Sequence, residues 1–172
     1  TRLALVLLML LALPAAADDT AMVSLQTADD SRGWDGVGKL ILGEHGFCTG
    51  ALIEPQLVLT AAHCLYDKTT GVQMKPGDIQ FFAGWRNGRA VAYRRVSRAV
   101  THPDYRYSAI DKLDRVTADL ALLELSQPIR LPSLSPFETA ATPVEGDAVG
   151  VVSYAQDRSE APSIQETCEV LA

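Results

Sequence analysis

The chain reads as an all-β protein, and three observations carry that reading. From Gly36 onward apolar residues come in short runs, Gly, Pro and Asp separate the runs, and no stretch keeps a helical apolar period over the ~11 residues an amphipathic helix needs. Val37 to Leu42 and Phe47 to Ile53 are two such runs, joined across Gly43-Glu44-His45-Gly46 as a hairpin. Leu57 to Thr60 is a third, followed by Ile79 to Gly84. Ala90 to Val100 mixes polar and apolar residues, which suits a surface-exposed strand, and Leu120 to Leu125 is a short apolar run suited to a buried one. Short strands at this spacing suggest a sheet that closes on itself or folds into a sandwich. Four prolines fall between Pro128 and Pro143 in a Ser/Thr-rich stretch, the composition of a connection. Asp147 to Tyr154 then reads as the strand that opens a second unit. The expected architecture is a complete β-barrel over residues 36–130, a linker over 131–146, and a second barrel only begun over 147–172.

The N-terminus has another origin. Arg2 supplies a positive start, Leu3 to Leu13 is an apolar run of 11 residues, and Pro14-Ala15-Ala16-Ala17 offers small residues for an A-x-A cleavage site. The run is too short to span a bilayer, which takes about 20 residues. Residues 1–17 are expected to be a signal peptide, cut between Ala17 and Asp18, and the protein to be secreted or periplasmic with no membrane association afterwards. Residues 18–35 are polar, acidic and without periodicity, and are expected to form a mobile leader or pro-segment. Because the chain opens on Thr1, at least one residue is expected upstream.

Charge and cysteine count narrow the function. The net charge is −6, and removal of residues 1–17 deletes Arg2 alone and takes it to −7. A mildly acidic domain has no electrostatic reason to bind nucleic acid or an anionic membrane. Export makes disulfides permissible, and three cysteines leave one pair and one orphan. Cys64 can bond Cys48 on the preceding strand, closing a loop of about 15 residues worth roughly 3 kcal/mol in the chain-entropy model. Cys168 is then unpaired within the chain. The cysteines form no C-x-x-C and no two histidines have ligand spacing, so neither a metal nor a cofactor is expected. Asp67 and Asp78 could hold a cation between Tyr66 and Asp78, but two scattered carboxylates more often mark a solvated turn. His45 falls in the hairpin and His102 in a surface loop.

His63 and Asp119 carry the chemistry. His63 follows a strand and two alanines, so its imidazole sits at a strand end beside side chains too small to crowd it, on backbone that the neighbouring cysteine can staple. An imidazole so held can accept a hydroxyl proton and return it to a leaving amine. Asp119 precedes an apolar strand, where a partly buried carboxylate needs a partner. It suits a group that accepts the imidazole N–H and fixes its tautomer.

Phe47-Cys48-Thr49-Gly50-Ala51-Leu52-Ile53, followed by Leu57-Val58-Leu59-Thr60-Ala61-Ala62-His63-Cys64, resembles the trypsin/chymotrypsin-like serine proteases, particularly secreted bacterial members. Asp119-Leu120-Ala121-Leu122-Leu123 resembles the aspartate motif of that family, and His102-Pro103-Asp104-Tyr105 the loop that often precedes it. The resemblance is good over roughly Val37 to Leu131 and weak beyond. It implies two antiparallel β-barrels with a catalytic cleft between them, histidine and aspartate coming from the first and serine and oxyanion donors from the second. It further implies a polypeptide substrate, an acyl-enzyme and a monomer.

Two departures from the family shape the functional expectation. No serine in the chain is followed by glycine, so the nucleophile segment is absent. The activation motif is replaced by Arg32-Gly33-Trp34-Asp35-Gly36-Val37-Gly38, although cleavage after Arg32 stays open. The chain is therefore expected to be the N-terminal portion of a secreted serine endopeptidase, inactive by itself. The alternatives are a non-catalytic protease-like binding module and a scaffold whose second barrel has lost its serine.

Overall fold

The structure, a computed structural model, describes residues 22–107 and 113–171. The signal peptide expected at 1–17, with cleavage between Ala17 and Asp18, lies outside the described residues. Among the described residues nine strands run in chain order: β1 (Val23–Ser24), β2 (Val37–Leu42), β3 (Phe47–Glu54), β4 (Leu57–Thr60), β5 (Ile79–Ala83), β6 (Ala92–Thr101), β7 (Ala121–Leu125), β8 (Ala148–Ala155) and β9 (Arg158–Glu169). The described helical segments are all short 3-10 turns. The all-β reading is correct.

Six strands close a barrel in the order β2-β3-β4-β7-β6-β5, every neighbouring pair antiparallel. The β2–β3 hairpin turns where the sequence placed it. Gly43 and Gly46 adopt φ of 57° and 115°, conformations a side chain would strain, which is why glycine brackets the turn. Period-2 alternation selects the core. Ile79, Phe81 and Ala83 on β5 and Leu123 and Leu125 on β7 are fully buried, while Leu122, between buried Ala121 and Leu123, is exposed. Leu40, Leu52, Val58 and Leu65 complete the packed interior. Each such large apolar side chain contributes about 1.5–3 kcal/mol by leaving water.

The second unit is a three-stranded sheet in the order β1-β9-β8, larger than the single strand expected. The missed strand, β9, has mostly polar residues and a proline, so neither alternation nor apolar density marks it. Pro162 is tolerated because it lies where the β8–β9 register shifts, between Ser153↔Ser163 and Ala155↔Arg158.

The stretch 18–35 is described from residue 22, and part of it pairs with the second sheet. Val23 and Ser24 pair with Ile164 and Ser163 of β9, and the Leu25 N–H donates to the Pro162 carbonyl at 2.8 Å. Thr27 and Asp30 then cap each other, each backbone N–H bonding the other's side-chain oxygen at 3.0 and 3.1 Å. Main-chain hydrogen bonding to the β9 edge thus holds Val23 to Leu25, within the stretch expected as a mobile leader or pro-segment.

The two units meet along one side of the barrel. Thr49 Oγ1 accepts the Tyr154 N–H at 2.9 Å, and the Tyr154 hydroxyl donates to the Trp85 carbonyl at 2.8 Å. Lys39, buried on β2, donates from Nζ to the Ser159 carbonyl at 2.9 Å and lies 4.4 Å from the Phe47 ring centroid. The lysine thus exchanges water for a carbonyl and an aromatic face, the compensation a buried ammonium needs.

Candidate active site

Strand register brings the two chemical residues together. In the β4–β7 pair Thr60 is opposite Ala121. His63 lies three residues past the end of β4 and Asp119 two before the start of β7, so both emerge at the same rim of the barrel. Beyond Thr60 the chain enters a 3-10 turn, Ala62–Leu65. Three residues per turn put Ala62 and Leu65 on one side. Both are fully buried, and His63 is directed outward with half of its side chain exposed.

The backbone under the histidine is pinned twice. Cys64 bonds Cys48 of β3, with Cα atoms 6.2 Å apart and a sequence separation of 16. Thr60 Oγ1 donates to the Thr49 carbonyl at 2.8 Å. On the other side, Asp119 follows the 3-10 segment Leu113–Ala118, and the His102 N–H donates to the Leu120 carbonyl at 2.8 Å. The loop that delivers the carboxylate is therefore tied to the end of β6.

Asp119 contacts His63 at two atoms. Its Oδ1 accepts the His63 backbone N–H at 2.8 Å, and its Oδ2 lies 2.6 Å from Nδ1. A carboxylate only accepts, so Nδ1 carries a proton, and in the neutral ring Nε2 keeps a lone pair. Cys64 Sγ lies 3.6 Å from Nε2. A disulfide sulfur has no proton to give, so this is a contact between two acceptors and leaves the lone pair available. Among the described residues no serine hydroxyl hydrogen-bonds Nε2.

The remaining candidates have other duties. His45 lies in the hairpin turn and its Nδ1 is 2.5 Å from Asp67 Oδ2. Asp67 Oδ1 accepts the Thr69 and Thr70 N–H groups at 2.8 and 2.6 Å and the Thr70 hydroxyl at 3.0 Å. These bonds, the Thr70 N–H foremost, hold the Asp67 carboxyl below its usual pKa. Its oxygens are engaged in closing a turn and in the contact with His45. Neither Asp67 nor Asp78 belongs to a cluster of three or more metal-ligating side chains among the described residues. His102 stays in its surface loop, its Nδ1 accepting the Asp104 N–H at 3.3 Å. Arg32 is exposed and pairs with Asp29. Cys168 has a free thiol on β9, where Val149 is opposite. Sequence reasoning missed the His45–Asp67 pair, since nothing local signals that the hairpin and the turn after His63 converge.

The trypsin family model matches residues 22–171. The chain belongs to the trypsin family. A trypsin from Phaedon cochleariae is 34% identical over 61% of this chain and 36% of its own length. A trypsin from Simulium vittatum is 32% identical over 75% of this chain and 51% of its own. Among solved structures, a Glu endopeptidase in complex with MPD superposes with a TM-score of 0.67 at 17% identity, over 90% of this chain and 70% of that one. At that identity the likeness speaks for the trypsin fold alone. The chain spans about half or less of the length of these two curated trypsins. They come from insects, so the bacterial affinity read from the sequence gains no support from them.

Proposed function

We propose that this trypsin-family chain supplies the base and the orienting carboxylate of a secreted serine endopeptidase. The observation that carries the reading is the two-atom contact of Asp119 with His63, which engages Nδ1 and leaves Nε2 of a half-exposed side chain free of the carboxylate. In this mechanism Nε2 takes the proton of a serine hydroxyl as it attacks a peptide carbonyl, and Asp119 stabilises the imidazolium that forms. The same Nε2 proton then passes to the leaving amine, and the acyl-enzyme is hydrolysed by the reverse relay.

The nucleophile is proposed to come from polypeptide outside these 172 residues, because none of their serines is followed by glycine. The chain by itself then hydrolyses nothing, having neither attacker nor oxyanion donors. The substrate is a polypeptide, the working unit a monomer, and residues 1–17 the signal that exports it. Family membership supports peptidase chemistry, and the Cys48–Cys64 disulfide suits an oxidising compartment. A second reading, a non-catalytic protease-like binding module, rests on the same missing segment.

Continuing the reading frame past Ala172 separates them. A glycine-flanked serine within a barrel's length supports the enzyme, and an immediate stop codon supports the binding module. Peptide hydrolysis by the purified 172-residue chain, if blocked by a serine-directed inhibitor, would overturn the assignment of the nucleophile to outside sequence.

A further inference from the structure

We infer that reduction of the Cys48–Cys64 disulfide turns the rim of the barrel into a zinc site whose three protein ligands are Cys48, Cys64 and His63. No sequence spacing announces this site. It is assembled by the fold, because β3 carries Cys48 past the 3-10 turn that carries His63 and Cys64. With the disulfide still closed, the ligating atoms of the three side chains all lie within 4.8 Å of one another.

The distances suit the metal. Zn–S bonds of about 2.3 Å and a Zn–N bond of about 2.05 Å at a tetrahedral angle put sulfur and nitrogen about 3.6 Å apart. Cys64 Sγ and His63 Nε2 are 3.6 Å apart before any metal arrives. Two thiolates on one tetrahedral zinc stand about 3.8 Å apart. Sulfurs released from their bond must part to nearly that distance by van der Waals repulsion, so reduction itself moves them toward the required geometry.

The second requirement of a histidine ligand is also met. Metal-bound imidazoles commonly give their other N–H to a carboxylate, which fixes the tautomer and raises ligand basicity. Asp119 Oδ2, 2.6 Å from Nδ1, does this and leaves Nε2 as the ligand atom. Three protein ligands leave the fourth position for water. Half of the His63 side chain is exposed and Cys48 is only partly buried, so a reductant and an ion can both reach the site.

The chemistry balances with an external dithiol as reductant. Two electrons from the dithiol break the S–S bond, the dithiol closes to a cyclic disulfide, and its two protons pass to Cys48 and Cys64. Zinc then displaces both thiol protons to solvent as two Zn–S bonds and one Zn–Nε2 bond form. The site does not depend on the proposed peptidase function, but it has a consequence for it. Zinc occupies the lone pair that would accept the serine proton, so the reduced, metal-loaded state is an off state.

The test uses cobalt(II) as a spectroscopic stand-in for zinc, titrated into the full chain in a Cys168→Ser background that removes the third thiol. The protein is reduced with a dithiol and freed of it anaerobically beforehand. We expect one equivalent of cobalt with thiolate charge-transfer absorption and tetrahedral d–d bands, displaced by zinc and absent from the oxidised protein. His63→Ala should weaken binding at least tenfold, and Asp119→Asn by about 10–100-fold. Circular dichroism of the reduced chain identifies a case of unfolding. Binding by an unfolded chain overturns the proposal, since His63 and Cys64 are sequence neighbours and a His63→Ala effect there would not report the folded rim. Indifference to that substitution overturns the proposal, as does the absence of stoichiometric binding, whether or not the reduced chain is folded. Neither outcome touches the serine chemistry, which is tested separately.

Discussion

Asp119 binds His63 through both carboxylate oxygens, one to the backbone N–H at 2.8 Å and one to Nδ1 at 2.6 Å. One side chain therefore sets the position of the peptide and the tautomer of the ring together. Asp119→Asn offers one carbonyl oxygen in place of two acceptors, and its amide N–H₂ can donate to the ring. We expect the Nδ1–H tautomer to lose its dominance, as read from ¹⁵N shifts of His63, and stability to fall by about 1.5–3 kcal/mol for loss of a charge-assisted bond. In any longer product that hydrolyses peptides, the same change should lower kcat by about 10⁴.

Tyr154 joins the second sheet to the barrel through its hydroxyl bond to the Trp85 carbonyl. Burial is the main reason its phenol pKa is pushed above the ordinary tyrosine value. The folded chain holds this proton more tightly than the unfolded one. Its contribution to stability is thus fully present below about pH 10 and is lost as pH rises from there toward the folded pKa. Tyr154→Phe should cost about 0.5–1.5 kcal/mol at neutral pH. It should also flatten the alkaline fall in denaturation midpoint, and an equally steep fall would contradict the assignment.

Asp67 has the opposite sign. The Thr70 N–H, its strongest influence, lowers its folded pKa, so its contribution is present above the ordinary carboxyl value of about 3.9 and is lost as pH falls through the folded pKa. In Asp67→Asn, stability measured by urea denaturation should fall less steeply below about pH 4 than in the parent. A parallel acid limb in the variant would show that this carboxylate does not couple to folding.

Gly38 is a packing requirement. A Cβ there would overlap the ring edge of fully buried Phe81 and stand 2.8 Å from the Phe82 carbonyl oxygen. Gly38→Ala should destabilise the barrel by about 1–3 kcal/mol through overpacking. Gly77, with no heavy atom within 4 Å of such a Cβ, is the control and should shift stability by less than about 0.5 kcal/mol when changed to Ala. Equal responses at the two positions would contradict the packing account.

Legibility followed the strength of local signals. The barrel strands were readable because runs such as Ile79 to Gly84 alternate inward and outward residues between turn formers, and observed boundaries differ by at most two residues. His63 and Asp119 were readable because each has a specific neighbourhood in sequence. Strand β9 was hidden by polar residues and Pro162, and its bond to Val23–Ser24 by the length of chain between them. The Lys39–Ser159 bond and the gathering of Cys48, Cys64 and His63 were equally hidden, because closure of the barrel and docking of the second sheet create them.

The most direct test of the base-and-orienter claim is covalent labelling with a serine-directed fluorophosphonate, read by intact mass. It compares the 172-residue chain, the product of the reading frame continued past Ala172, and that product with His63→Ala. The account predicts one adduct on the continued product, its loss in His63→Ala, and none on the 172-residue chain. An adduct on the 172-residue chain, or one on the continued product that survives His63→Ala, would contradict it.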